Sequence, residues 1–204
     1  DGHVSIGAGE LADPGLLVGI VAAFAEELPL VTFTLFTGVA DQVTERLDRG
    51  LLDIGLLLEP VDIARYEYIP VPVRERWAAA MAADDPLASL NAVRPADLEG
   101  RVLSLPYRPG VQSVLGNWLG ESLAKARATY NVNLGGSVAA LIEGGHAVSL
   151  LVEGCAAYWD PARFAVRPLE PLLESATVLA WKRGLRHTAA VQAFAEFTSE
   201  RLRK

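Results

Sequence analysis

Three extended segments separated by two helical ones within the first sixty residues constrain this fold more than any other feature. Val4-Ser5-Ile6-Gly7-Ala8-Gly9 is a short β-rich run ending in glycine. Asp13-Pro14 follows, an N-cap with proline at the first helical position, so a helix is expected there. Leu16, Leu17, Ile20, Val21 and Phe24 recur at helical spacing until Leu28-Pro29. That proline stops the pattern, because a residue before proline disfavours the α region. Residues 31–36 alternate and are rich in β-branched and aromatic side chains, Thr37-Gly38 turns, and Val39, Val43 and Leu47 space a second helix that Gly50 caps. Residues 53–58 are almost entirely apolar, as expected of a strand covered on both faces. Strand-helix-strand-helix-strand at this density predicts an α/β protein with a parallel sheet.

A second α/β unit is expected downstream. Its strands are read at residues 77–82, 102–105, 129–134 and 147–151, with helices near 111–123, 137–143 and 154–159. Residues 66–73 are extended and broken by Pro70 and Pro72, which suits a crossing between lobes better than a central strand. Residues 164–169 lead through Pro168 and Pro171 to a strand at 177–181, and a final helix carries Val191, Phe194, Ala195 and Leu202 along one stripe. The chain is thus expected to form two Rossmann-like lobes on a double hinge, residues 1–72 and 174–204 against residues 73–173.

Composition narrows the function classes. The 204 residues carry a net charge of -7. The charge is uneven: residues 1–70 hold three Lys/Arg and twelve Asp/Glu, whereas residues 175–204 hold six and two. Such a chain has no cationic surplus for phosphates and is not expected to bind nucleic acid itself. One cysteine, Cys155, excludes an internal disulfide framework and fits a reducing compartment. No apolar run approaches the roughly 20 residues of a membrane span. A soluble, cytoplasmic chain is expected, and its start at Asp1 without Met suggests a piece of a longer protein.

In open parallel sheets, ligands sit beyond the carboxyl ends of the strands, where the following helices point their N-terminal amides. In the first lobe this places Gly9, Glu10 and Leu11 after the first strand and Thr37, Gly38 and Val39 after the second. In the second lobe it places Leu105-Pro106-Tyr107 and Gly135-Gly136-Ser137. Helix N-termini suit an anionic group such as a carboxylate. Thr37, Ser137 and Tyr107 would add hydroxyls and Arg108 a cationic fork. Each has a plainer reading beside it: Thr37 and Ser137 as N-caps, Pro106 and Tyr107 as a turn, Arg108 as a solvated loop side chain. Glu10 would oppose a purely anionic ligand, cap the helix, or select a ligand bearing an amine.

Catalytic groups are sparse. Cys155 follows Gly154 at an expected helix start, where a thiolate could be stabilised, but a small buried cysteine is the simpler reading. His3, His146 and His187 are isolated, with no partner at metal-ligand spacing, so neither metal nor cofactor is expected. Gly7-Ala8-Gly9 lacks the third glycine of a dinucleotide fingerprint. Lys182, Arg183, Arg186, Arg201, Arg203 and Lys204 form the only basic cluster and read as a solvated face.

The order of several short motifs resembles the effector-binding domain of LysR-type transcriptional regulators. These are Val4-Ser5-Ile6-Gly7, Leu28-Pro29, Thr37-Gly38 and the run Leu47-Asp48-Arg49-Gly50-Leu51-Leu52-Asp53-Ile54-Gly55-Leu56. Asp85-Pro86-Leu87-Ala88, Asp97-Leu98-Glu99-Gly100, the helix-glycine-strand element at 138–151 and Val178-Leu179-Ala180-Trp181-Lys182 continue it. The chain departs from the pattern at Val152-Glu153-Gly154, where the family often has proline, and at His146, where a basic or charged residue is usual. The resemblance implies the type 2 periplasmic-binding-protein fold and a small effector held between lobes. It also implies a homodimer or homotetramer, and promoter DNA bound only through an N-terminal winged helix-turn-helix module absent from this chain. By the same analogy the exposed part of the helix at 13–28 is the expected pairing surface. No catalysis is expected. The rivals are a free-standing solute-binding protein of a transporter, which shares the two-lobed cleft, and a hydrolase using Cys155.

Overall fold

A computed structural model describes residues 2–9, 14–184 and 187–202. In chain order its elements are β1 (Gly2–Ala8), α1 (Pro14–Glu27), β2 (Val31–Thr37), α2 (Ala40–Asp48), β3 (Ile54–Leu58), β4 (Tyr66–Pro70), β5 (Glu75–Ala82), β6 (Val102–Pro106), α3 (Pro109–Leu119), β7 (Ala128–Val132), α4 (Gly135–Glu143), β8 (Val148–Val152), β9 (Phe164–Pro168), β10 (Glu174–Ser175), β11 (Thr177–Lys182) and α5 (Ala189–Leu202). They divide into two compact units, Asp1–Arg74 with Ala176–Lys204, and Glu75–Ser175.

The first unit is built on a five-stranded sheet in the order β2-β1-β3-β11-β4. β1 pairs in parallel with β2 and β3, as the alternation of strands and helices requires. The sheet is nevertheless mixed, because β11 inserts antiparallel between β3 and β4. Residues 66–70, expected as a crossing, are the edge strand β4. Pro70 ends it where no ladder donor is needed. Side-chain alternation along the strands then sorts the two faces. Val4, Ile6, Ile54 and Leu56 face α1 and α5 and bury Leu17, Ile20, Phe24, Val191 and Phe194. Within that layer the Phe24 ring meets Phe194 and Phe197 edge-on, each at 5.2 Å between centroids. The opposite face receives α2 through Ala40, Val43 and Leu47.

Two polar locks tie distant segments of this unit. The Ser5 N–H and hydroxyl both donate to Asp53 Oδ2, at 2.8 and 2.6 Å, while the Asp53 N–H donates to Ser5 O at 2.9 Å. On the α2 face the buried Tyr66 hydroxyl donates to Asp48 Oδ1 at 2.8 Å, Arg65 pairs with Asp48 Oδ2 at 3.0 Å, and Lys182 Nζ donates to Asp48 O at 2.6 Å. Burial first, and the bond to Asp48 second, push the Tyr66 phenol from its ordinary 10.0 up to about 12. The native state therefore favours the protonated phenol. Its contribution is complete below pH 10 and disappears as pH rises toward 12, amounting to about 2 kcal/mol over that window. Tyr66→Phe should cost about 1 kcal/mol at neutral pH, and denaturant midpoints measured from pH 9 to 12 should fall less steeply in the variant than in the parent.

The second unit has a six-stranded mixed sheet whose path runs β10-β5-β8-β6-β7, with β9 also on β5. β6 is parallel to β7 and β8, whereas β5 is antiparallel to β8 and β9. β5, β6 and β8 are nearly all buried, and β7 is an exposed edge. α4 packs Val138 and Ile142 against Ala80, Leu151 and Phe164. Trp77, 2% exposed, donates its indole N–H to Ser175 Oγ at 2.9 Å. That bond joins the strand on which the chain enters the unit to the strand on which it leaves. Asp85 accepts the Leu87 N–H at 2.9 Å, capping a 3-10 turn at Pro86–Ser89, and both its oxygens receive the Arg101 guanidinium.

Three sequence expectations change. The helix expected over 111–123 ends at Leu119, because Gly120 turns at φ +55° and a 3-10 stretch at Gly120–Lys125 follows. The helix expected at 154–159 is a single 3-10 turn, Glu153–Ala156. Residues 164–168, read as a connecting extended piece, form the full strand β9 against β5.

Candidate functional site

The residues expected at the strand ends fall into two groups, one in each unit. In the first, β1 and β2 end side by side, with Ala8 opposite Thr37 in the ladder, so Gly9 lies next to the turn at Gly38. The Gly38 N–H donates to Ala8 O at 3.0 Å. A Cβ on Gly38 would stand 2.7 Å from the Phe36 ring and 2.9 Å from Gln42 Oε1, so a side chain here would have to displace the ends of both. Thr37 is exposed at the last position of β2, and Gly38 is buried. Glu10, Leu11 and the expected cap Asp13 lie outside the described residues.

In the second unit, β6 delivers Leu105, Pro106 and Tyr107 beside the end of β7. The Tyr107 N–H donates to Val132 O at 2.9 Å, and Gln112 Nε2 donates to Asn131 Oδ1 at 3.0 Å, holding α3 to the β7 end. Leu105 is buried, Pro106 partly so, and Tyr107 is exposed. Ser137 is exposed on the first turn of α4.

Neither Thr37 nor Ser137 caps a helix. The N-cap of α2 is Val39, two residues past Thr37, and that of α4 is Leu134, because the helix begins at Gly135, ahead of the expected 137. The third helix that starts at a strand's carboxyl end, α3, has Arg108 as its N-cap. Valine and leucine side chains carry no acceptor and arginine only donors, so no N-cap side chain caps these helices, although in α2 Gln42 Oε1 accepts the Val39 N–H at 3.2 Å and Asp41 lies in the first turn. The second-unit helices α3 and α4 therefore begin with a positive dipole end that neither an N-cap side chain nor an acidic first-turn residue offsets, a setting that favours a negatively charged group.

Arg108 departs from the solvated loop position expected of it. It is 5% exposed. The signal for its position was present: Pro109 belongs at the first helical position, which makes the preceding residue the extended N-cap. Cys155, expected as a small buried residue, is half-buried and packs beside the α4 core. No described helix is long and apolar enough to cross a membrane.

Comparison with known proteins agrees with this architecture. The sequence model of the LysR substrate binding domain matches residues 1–203. The HTH-type transcriptional regulator YvbU of Bacillus subtilis (strain 168), itself uncharacterized, is 24% identical over 202 residues, which cover 98% of this chain and 67% of that protein. Among solved structures, the Synechocystis PCC6803 CcmR regulatory domain in complex with 2-PG superposes with a TM-score of 0.82 at 13% identity, covering 100% of this chain and 99% of that one. The effector binding domain of QuiR in complex with shikimate gives 0.81 at 14% identity, covering 98% and 97%. The chain belongs to the LysR substrate-binding-domain family, the ligand-sensing regulatory domains that share the type 2 periplasmic-binding-protein-like fold.

Proposed function

We propose that this chain is the sensor of a cytoplasmic transcriptional regulator and holds a small effector bearing an anionic group such as a carboxylate at the strand-end loops. The effector-contacting residues in this reading are Gly9, Glu10, Thr37, Gly38, Val39, Leu105, Pro106, Tyr107 and Ser137, with Arg108 behind the second-unit group. The observation that carries it is the pair of helix N-termini, α3 and α4, without side-chain caps or acidic first-turn residues at the carboxyl ends of β6 and β7. The ligands named for the CcmR and QuiR domains make the same chemistry reasonable here. Effector binding would bias the setting of the two units, and through a homodimer or homotetramer the placement of a DNA-binding module. It can do so only by its differential affinity for the two settings. Membership of the LysR family favours this reading over a transporter's solute-binding protein, and over catalysis by Cys155.

A thermal-shift panel of short carboxylates, aromatic acids and amino acids, with shikimate and 2-PG included, tests it. A true effector at 100 times its dissociation constant should stabilise the chain by about 2.7 kcal/mol. Thr37→Val, Tyr107→Phe and Ser137→Ala should each weaken that effector by about tenfold while leaving ligand-free stability within about 0.5 kcal/mol of the parent. If no member of the panel shifts the transition, or if none of the three variants alters a ligand that does, the proposed site is wrong.

A further inference from the structure

A second, smaller polar cavity lies in the Glu75–Ser175 unit, at the opposite end of its sheet from the proposed effector loops. It forms where β6 and β8 begin, between the turns at Gly100-Arg101 and Gly145-His146, and Asp85 and Arg127 complete its polar wall. The two glycines take φ +72° and +66°, left-handed conformations that let both turns fold tightly into their strands. The cavity measures about 150 Å³. That is the liquid share of about five water molecules, room for a small tetrahedral oxyanion and its hydration but not for an aromatic acid. β6 separates it from Pro106 by four residue steps, about 13 Å.

Charge bookkeeping around this cavity leaves cations over. The Asp85 carboxylate is covered by the Arg101 guanidinium and the Leu87 N–H. Of the nearby acids, Glu99 is held by Lys125 at 3.0 Å and by the Ser122 hydroxyl at 2.9 Å, and Glu143 by Arg163. Arg127 is exposed, and among the described residues neither its guanidinium nor the His146 imidazole has a hydrogen-bond or ion-pair partner. The Arg127 backbone is also fixed beside that of Arg101. Its N–H donates to Arg101 O at 2.8 Å, and Val102 and Ala128 are ladder partners, so the two arginines stand opposite each other one step ahead of that ladder. The His146 ring lies over Gly144: a Cβ there would stand 2.5 Å from Cδ2 and 2.6 Å from Nε2. The glycine leaves room for the imidazole at the cavity wall.

We propose that Arg127 and His146, with Arg101 anchored on Asp85, bind a small phosphate-type oxyanion, either inorganic phosphate or the phosphoryl group of a metabolite. Arginine's planar fork matches two phosphate oxygens at once, and an imidazole N–H supplies a third contact. This site is separate from the effector loops, and either can fail without the other.

The test is a titration of the isotope-labelled 204-residue chain with inorganic phosphate at constant ionic strength, following the His146 ring and Arg127 Nε resonances. Both should shift saturably, Arg127→Gln should weaken binding by about tenfold, and sulfate should compete. A phosphomonoester such as glycerol phosphate that binds more tightly than phosphate would assign the site to a metabolite's phosphoryl group, and equal affinities would assign it to the free ion. The proposal is overturned if no saturable shift occurs by about 30 mM phosphate, if Arg127→Gln binds like the parent, or if the shifts centre on residues 37–39 and 105–107.

Discussion

Replacing Gly55 by alanine should lower the unfolding free energy by about 3 kcal/mol, at the upper end of overpacking costs. Gly7 and Gly55 are ladder partners on β1 and β3, and both face α2. A Cβ on Gly55 would stand 2.8 Å from both Leu47 Cδ1 and Val43 Cγ1, and one on Gly7 would stand 2.7 Å from the same Val43 methyl. The end of Leu47 can swing aside. The Val43 methyl cannot, because it sits one bond from a β-branched carbon whose rotamer the helix restricts. The paired glycines therefore make a flat patch on which a fully buried valine can rest, and α2 approaches the sheet through them. Urea denaturation should show a lower midpoint with an unchanged slope. Val43→Ala in the Gly55→Ala background should restore about 1 kcal/mol relative to additivity, since it removes the clashing methyls. Strict additivity of the two changes would mean that the packing described for α2 is wrong.

Trp77→Ala should cost about 4 kcal/mol, the scale set by a buried aromatic whose removal leaves a cavity. The side chain is among the largest that are fully buried, and its loss also strands the Ser175 hydroxyl, itself 7% exposed. The Trp77 N–H meanwhile donates to Leu173 O at 2.9 Å, so indole and backbone together fasten residues 173–175 to β5. Two further variants divide the effect. Ser175→Ala should cost about 1 kcal/mol, the net worth of one hydrogen bond, and Trp77→Phe an intermediate amount. If Ser175→Ala proved as costly as Trp77→Ala, the hydrogen bond rather than the packing would be the larger contribution.

Much of this architecture was legible where local chemistry and tertiary environment agree. The apolar run 53–58 reads as a covered strand, and β3 is covered by helices on both faces. The helical spacing from Leu16 to Phe24 corresponds to α1, which ends at Glu27 just ahead of Leu28-Pro29. Legibility failed where the deciding partner is remote in sequence. β4 pairs with β11 across more than a hundred residues, so Pro70 and the following Pro72 suggest a crossing when the segment is an edge strand. The same remote pairing makes the first sheet mixed. The end of α3 was misplaced because Leu119 and Leu123 continue an apolar spacing across Gly120, and only the backbone angle at that glycine shows the break. At the candidate site, strand-end geometry was readable from topology, but the helix starts were not. Thr37 and Ser137 attract a cap assignment by residue type, whereas Val39 and Leu134 occupy the cap positions. Arg108 was misjudged because the burial of a charged side chain depends on what the fold places over it. The cavity at Arg127 and His146 has no sequence signature, since its walls come from the turns at Gly100-Arg101 and Gly145-His146, which are remote in sequence.

The central claim is that the strand-end loops, and not another surface, receive the effector. Backbone amide shift mapping of the isotope-labelled chain, titrated with the panel ligand that gives the largest thermal shift, tests it most directly. The account predicts the largest perturbations at residues 37–39, at Tyr107 and Arg108, and at residues 135–137. Perturbations confined to the 83–89 and 159–167 surface of the second unit, where a larger open pocket lies, would contradict it.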